Sequence, residues 1–448
     1  VRTIRSIPTA FALGAVLSTL IAGAAAAQSD SHPDAASPLK PNPYLRYEEP
    51  WRWDLTLQVF LRGGTLSAID TQGIDEYTVY FDLDSFEFIL PVMREGGFFW
   101  SPRQQIETFA RIESSRGPRS WGTAFINESR ATLTPQLLMV PSSGAVYARI
   151  GERTDLGGIQ SMHFKQTNRI VSADTRFDER RAREIPWPDA WPEDAERALT
   201  PVIERVRDPI VLQGQDRLCE LVDQWTQGQD PRSIDPVTLV KFLTGKVLDT
   251  VRTGRGKSET RPNLNTRTLL PLSEDGTIQI PRGVWSGLSV RSADMIALSP
   301  RLGSVLDLST MLVSVLRAAG VPARLVICYN TSDTVDQLDR IVSLVEFALY
   351  DAERDQLLWI PIDTERLRDN GRGVSSYEQP WLYFGTHDDL HELVPVARHY
   401  HPPVNYRAFG FPAFFGFRSD PQLGSFATQH LIIDANAAPV SGHDFKDD

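Results

Sequence analysis

The chain is poor in cysteine and, across its middle, empty of histidine. It holds two cysteines in 448 residues, Cys219 and Cys328. That is too few for a disulfide-stapled fold, although a single bridge between them stays open in an oxidising compartment. Cys219 falls in a helical pattern (RLCELVDQW) and Cys328 in an apolar strand pattern, where cysteine commonly packs as a small hydrophobe. No histidine occurs between His163 and His387, which removes the commonest general base from that whole span. Basic charge is also short: 46 Lys and Arg against 57 Asp and Glu give a net charge of −11. Such a surface repels phosphate backbones and anionic lipids, so no nucleic-acid partner is expected. No glycine-rich phosphate loop accompanies the basic residues, so nucleotide binding has no support and no cofactor is expected. Arg252, Arg255, Lys257, Arg261 and Arg267 read as a solvated loop or irregular hairpin, with an unordered anion-binding patch as the alternative.

What is present begins with an export pattern. Arg2 and Arg5 precede an apolar run from Phe11 to Ala27 that ends in Ala25-Ala26-Ala27. This reads as a secretory signal peptide over residues 1–27, the alternative being a retained membrane anchor, for which the run is short. The leading Val reads as a literally translated alternative start codon, which favours a bacterial source. Cleavage leaves 421 residues and takes the net charge from −11 to −13. No later run is long and apolar enough to cross a bilayer, so the mature chain is expected to be periplasmic or secreted, without a membrane span.

Residues 28–45 are rich in Pro, Ser and Asp and form a flexible leader. From Trp51 the segment WDLTLQVFLRGG alternates apolar and polar residues and stops at Gly63-Gly64, a strand and a turn. Similar runs follow at 77–83, 86–91, 105–112, 136–140, 145–150 and 158–167. Residues 46–185 are therefore expected to be a β-rich, sandwich-like domain. A Pro- and Trp-bearing linker occupies 186–207; its aromatics either dock the domains or line a carbohydrate-stacking surface. Helical periodicity starts near Asp208, and Asp235-Pro236 marks a helix start, Asp as the cap and Pro in the first turn. The core is placed at 208–365 and a C-terminal extension of little periodicity at 366–448, with FGFPAFFGF as a strand or packed aromatic segment.

The most informative stretch is LGSVLDLSTMLVSVLRAAGVPARLVICY, residues 302–329. Val305, Leu308, Leu312, Val315 and Leu316 share one helical stripe with Met311 beside it, which predicts a buried helix. Gly320 ends that helix as a left-handed cap, and Val321-Pro322 blocks its continuation. ARLVICY is apolar and β-branched, a central strand, and further strands follow at 342–350 and 357–362. Helices with consecutive antiparallel strands make an α+β class.

The run LRAAGVPARLV, with Gly303-x-x-x-Asp307 before it and the Trp-x-Pro-x-Asp of WIPID after it, resembles the core of the transglutaminase-like (papain-like cysteine enzyme) superfamily. The resemblance covers roughly residues 208–365, most specifically 316–324. It implies helices packed on an antiparallel sheet. It also implies a nucleophilic Cys, a His opening the following strand and an Asp after the next one. Carried over residue by residue, the nucleophile position is Val305 and the histidine position is Val342, set by the His-x-x-x-Glu spacing to Glu346. Only Asp363 keeps its family identity. Valine has nothing to ionise and cannot attack a carbonyl, and Asp363 has no imidazole to orient. The resemblance thus implies a catalytically inactive member, with Ser304, Asp307, Glu346 and Asp363 as cleft-binding candidates.

Other residues could restore an activity. Ser304 stands beside the nucleophile position but has no base, and helix capping explains it better. Asp307 and Asp363 could form an acid/base pair, although the helix dipole accounts for Asp307. His387 and His391, in THDDLHELVPVARHYH, would share a helix face at i, i+4, with Asp388 or Asp389 as oxygen donors, a metal-like spacing that lacks the glutamate of zinc proteases. The expected function is an exported, non-catalytic module binding a protein, peptide or cell-wall ligand. The rival readings are a metal-assisted hydrolase using His387 and His391, and a purely structural envelope component.

Overall fold

The computed structural model describes residues 42–63, 65–70, 73–78, 85–101, 106–114, 117–125, 136–140, 145–153, 159–199, 209–253, 293–298, 300–303, 305–332, 340–370, 377–398, 415–420 and 427–438. The signal-peptide pattern, the leader up to residue 41, most of the basic cluster, Ser304, His399 and His401 lie outside them.

Among the described residues ten strands come first: β1 Leu45–Gly63, β2 Thr65–Asp70, β3 Gly73–Thr78, β4 Ser85–Val92, β5 Phe99–Trp100, β6 Ile106–Ser114, β7 Gly117–Phe125, β8 Gln136–Val140, β9 Ala145–Arg153 and β10 Ile159–Phe177. The alternation read from Trp51 onward is real. Trp53, Leu55, Leu57, Val59 and Leu61 of β1 are all buried while the residues between them are not, as a strand with one face on a core requires. β1 pairs antiparallel with β10 from Leu45↔Phe177 to Arg62↔Ser161, with a register shift between Glu48 and Trp51.

The helical part follows: α1 Glu179–Ala182, α2 Glu193–Glu196, α3 Pro209–Thr226, α4 Pro236–Thr250, the short strand β11 Arg252–Thr253, α5 Ala293–Leu298, β12 Arg301–Gly303 and α6 Val305–Ala318. Asp235 caps α4 by accepting from the Thr238 N–H at 2.9 Å, with Pro236 in the first turn. Leu306, Leu308, Met311, Leu312, Val313, Val315 and Leu316 of α6 are 4% exposed or less. Each such side chain removed from water is worth about 1.5–3 kcal/mol, so α6 is held chiefly by packing. Gly320, at φ 82°, ends it, and the Val321 N–H returns to the Leu316 carbonyl at 2.9 Å.

The remaining elements are β13 Ala323–Asn330, β14 Ile341–Asp351, β15 Gln356–Ile362, α7 Thr364–Asp369, β16 Leu393–Ala397, β17 Gly416–Asp420 and β18 Ala427–Ala438. A four-stranded antiparallel sheet runs in the order β15-β14-β13-β16, and α6 packs on β13 and β14. This is the α+β core expected from the sequence.

The described parts of residues 366–448, read as an extension, are woven through the fold. β16 completes the core sheet, β17 pairs with β4 in the sheet β17-β4-β9-β8, and β18 lies along β1 in the sheet β18-β1-β10-β6-β7. The two β-rich sheets meet where Phe88 stacks on Phe164, centroids 4.1 Å apart. One apolar core runs from Leu55 and Phe164 to Leu312 and Phe347. The linker tryptophans dock: Trp191 is buried with Trp187 against Ala348 and Trp359, and Trp187 Nε1 donates to the Ile234 carbonyl at 2.7 Å.

Candidate functional site

The three positions carried over from the resemblance, Val305, Val342 and Asp363, lie on α6, β14 and the turn between β15 and α7. Val305 opens α6. One helical turn later, Ser309 Oγ donates to the Ser343 carbonyl at 3.1 Å, accepts from Ser343 Oγ at 3.0 Å and shares a 2.9 Å hydrogen bond with Thr364 Oγ1. Ser343 follows Val342, and Thr364 follows Asp363. A buried hydroxyl cluster therefore ties together the neighbours of all three positions, in an interior where unpaired hydroxyls would be costly.

Val342 is partly buried and stands opposite Cys328 in the β13–β14 ladder. Cys328 is buried and free, and Cys219 is exposed and free, so no bridge joins them. Burial first, then the negative charges of Glu346 and Asp363, push the Cys328 thiol well above its ordinary range. A thiol without thiolate character and without a histidine partner is not an activated nucleophile.

Asp363 is buried and caps α7, its Oδ1 accepting from the Arg366 N–H at 2.9 Å. Burial pushes its carboxyl up to about 7 against the opposing pull of that hydrogen bond. Asp307 is 1% exposed, in the first turn of α6.

Glu346 is wholly buried, unlike the ligand-facing group expected from the sequence. Its Oε2 receives Arg324 Nε at 2.5 Å and Arg398 Nη1 at 3.4 Å, and its Oε1 receives the Gly97 N–H at 2.5 Å. Burial works to raise its pKa, but the two guanidiniums and the Gly97 N–H outweigh it and hold the carboxyl below the usual range. Arg324 also stacks over Trp359, 3.7 Å from the ring centroid. The approach is closed by glycine: a Cβ at Gly97 would stand 2.1 Å from the Trp359 carbonyl oxygen. Glu346 thus joins the loop before β5 to the core sheet. The contact depends on Arg398 and Gly97, remote in sequence from Glu346, and no local pattern announces it.

His387 and His391 do not share a helix face. His387 forms a β-bridge with Thr175, and residues 390–392 make a single tight turn. The pairing of the His387 backbone with β10 takes up the N–H and carbonyl that a helix would need. Its buried ring places Nε2 at 3.2 Å from the Pro361 carbonyl, and burial lowers its pKa to about 4, leaving it neutral. His391 turns instead to Asp174, with Nδ1 2.9 Å from Oδ1; that hydrogen bond raises its pKa. Asp174 and the nearby Glu49 went unnoticed in the sequence because only the β1–β10 register brings them to His391.

Among the described residues no helix is long and apolar enough to cross a membrane. No curated protein matches the chain in sequence. Among solved structures, a candidate cysteine protease from Cytophaga hutchinsonii is similar at 10% identity, covering 89% of this chain and 94% of that one with a TM-score of 0.44. The periplasmic domain of TgpA from Pseudomonas aeruginosa is similar at 15% identity, covering 72% and 93%, with a TM-score of 0.27. Likenesses this loose carry no argument about the site. The sequence match is more direct: residues 289–364 fit the family model described as the transglutaminase-like superfamily. That span holds α6, β13, β14, β15 and the positions of Val305, Val342 and Asp363, so what the match identifies as transglutaminase-like is this helix-and-sheet core, residues 289–364.

Proposed function

We propose that this is an exported, periplasmic or secreted, transglutaminase-like protein that binds rather than cleaves. The observation that carries the proposal is the pair of valines, Val305 and Val342, at the positions of the nucleophile and its base. Both reacting groups of a thiol–imidazole mechanism are missing, and a buried Asp363 by itself supplies neither attack nor proton transfer to a leaving group. The hydroxyl cluster of Ser309, Ser343 and Thr364 supports the reading, because it fills the joint between the three elements with mutually satisfied structural hydrogen bonds.

The ligand is a protein, a peptide or a cell-wall fragment, held at the rim where α6 begins, near the partly exposed Val342. Asp307 and Asp363 lie beneath it as buried polar support. The β-rich strands, read as a sandwich-like domain, frame this core, and the N-terminal basic and apolar run supports export. Calorimetric titration with peptides and muropeptides tests the proposal. Binding by the wild type that weakens at least tenfold in Val342→Trp is the expected result; amide turnover by the wild type would overturn it.

A further inference from the structure

A second cluster, away from the family positions, has the composition of a metal site. Glu49, Asp174 and His391 each offer one ligand atom, and these atoms lie within 4.8 Å of one another. They come from β1, β10 and the turn before β16. The fold fixes each of them by separate contacts. Asp174 lies opposite Glu48 in the β1–β10 ladder, beside the register shift between Glu48 and Trp51. Glu49 sits within that shift at φ 48°, which breaks the side-to-side alternation of the strand. His391 is tied down by its backbone: its N–H donates to Asp174 Oδ1 at 3.1 Å, and its carbonyl accepts from Trp53 Nε1 at 2.8 Å.

The donor set is mixed, one imidazole with two carboxylates. Calcium and magnesium favour oxygen alone, whereas an imidazole favours zinc and its first-row neighbours. With zinc held at about 2.0–2.2 Å from each ligand, neighbouring donors stand roughly 3 Å apart. His391 Nδ1 and Asp174 Oδ1 already stand at 2.9 Å. Asp174 is 2% exposed, so its charge is poorly screened, and Glu392 adds further negative charge at His391. The nearby Arg176 is engaged by Glu48 at 3.0 Å.

We infer that Glu49, Asp174 and His391 form a binding site for a divalent transition metal of the zinc type, which clips the long β1–β10 pair to the segment leading into β16. The three ligands meet only in the folded chain, so the ion would bind the native state and stabilise it. The site is independent of the binding reading at α6, and no catalytic role is assigned to it.

The test uses the full chain, stripped with chelator and titrated with Zn²⁺ in a calorimeter, with melting temperature followed in parallel. Wild type is expected to bind one ion with micromolar or tighter affinity and to melt higher when loaded. Glu49→Gln and His391→Asn are each expected to weaken binding at least tenfold and to abolish the increase in melting temperature. Glu49 is exposed, so Glu49→Gln decides by itself if His391→Asn lowers the melting temperature of the metal-free protein. Absence of zinc binding by the wild type would overturn the inference. So would an affinity and melting increment unchanged in both variants, as expected if zinc bound at Cys219 or at other histidines.

Discussion

Two buried groups at neighbouring positions titrate in opposite senses. Burial raises Asp363 from 3.8 to about 7. Between those pH values the folded chain holds a proton that the unfolded chain releases, so this group's contribution to stability falls as pH rises from about 4 to about 7. Burial lowers His387 from 6.5 to about 4. There the unfolded chain takes up a proton that the folded chain refuses, so its contribution is present above about 6.5 and is lost as pH falls toward about 4. The two slopes oppose one another over most of the same window. Urea unfolding across pH 4–7 should therefore show the wild-type advantage over Asp363→Asn shrinking as pH rises, asparagine keeping the cap on α7. The advantage over His387→Gln should grow instead. Parallel curves would refute the assignment. Glu346→Gln tests a different residue: it leaves Arg324 and Arg398 without their buried counter-charge, and unfolding experiments should show a loss of about 3–5 kcal/mol.

Two glycines separate backbone strain from crowding at the level of elements. Gly320, at the end of α6, adopts φ 82°, and a Cβ added there would meet nothing within 4 Å, so Gly320→Ala should cost only the left-handed penalty of about 1–2 kcal/mol. Gly97 has the opposite problem, a Cβ at 2.1 Å from the Trp359 carbonyl oxygen. Gly97→Ala must push the loop off Glu346 as well, and urea midpoints should rank it below Gly320→Ala. The first of these glycines was legible in the sequence and the second was not. Gly-Val-Pro after an apolar helix stripe is a local signal, as were the alternation of β1 and the Asp-Pro start of α4. The partners of β1, by contrast, are β10 and β18, both far along the chain, and no local pattern specifies such pairings. That is why residues 366–448 read as an extension, why Glu346 read as a cleft group, and why His387 and His391 read as a helical pair.

For the molecule as a whole, the C-terminal segment acts as a closing strap: β18 covers the outer edge of β1 from Arg52↔Ala438 to Gly63↔Ala427. Truncation before residue 427 should expose that edge and drive self-association, visible by light scattering. Thiol accessibility gives a second global check. Native protein should alkylate at Cys219 alone, and at Cys328 only after unfolding, since the former is exposed and the latter buried. In the proposed reading fold and chemistry are separable: the packing part of the motif is retained, from the α6 stripe to the WIPID turn, while Val305 and Val342 stand where the resemblance puts the reacting side chains. The most direct test of that claim is turnover itself. Purified wild type, Asp363→Ala and a metal-free control should be incubated with peptide amides and with primary amines as acceptors, and the products followed by mass spectrometry. The account predicts neither hydrolysis nor amine transfer above the buffer rate in any sample; wild-type turnover that disappears in Asp363→Ala would contradict it.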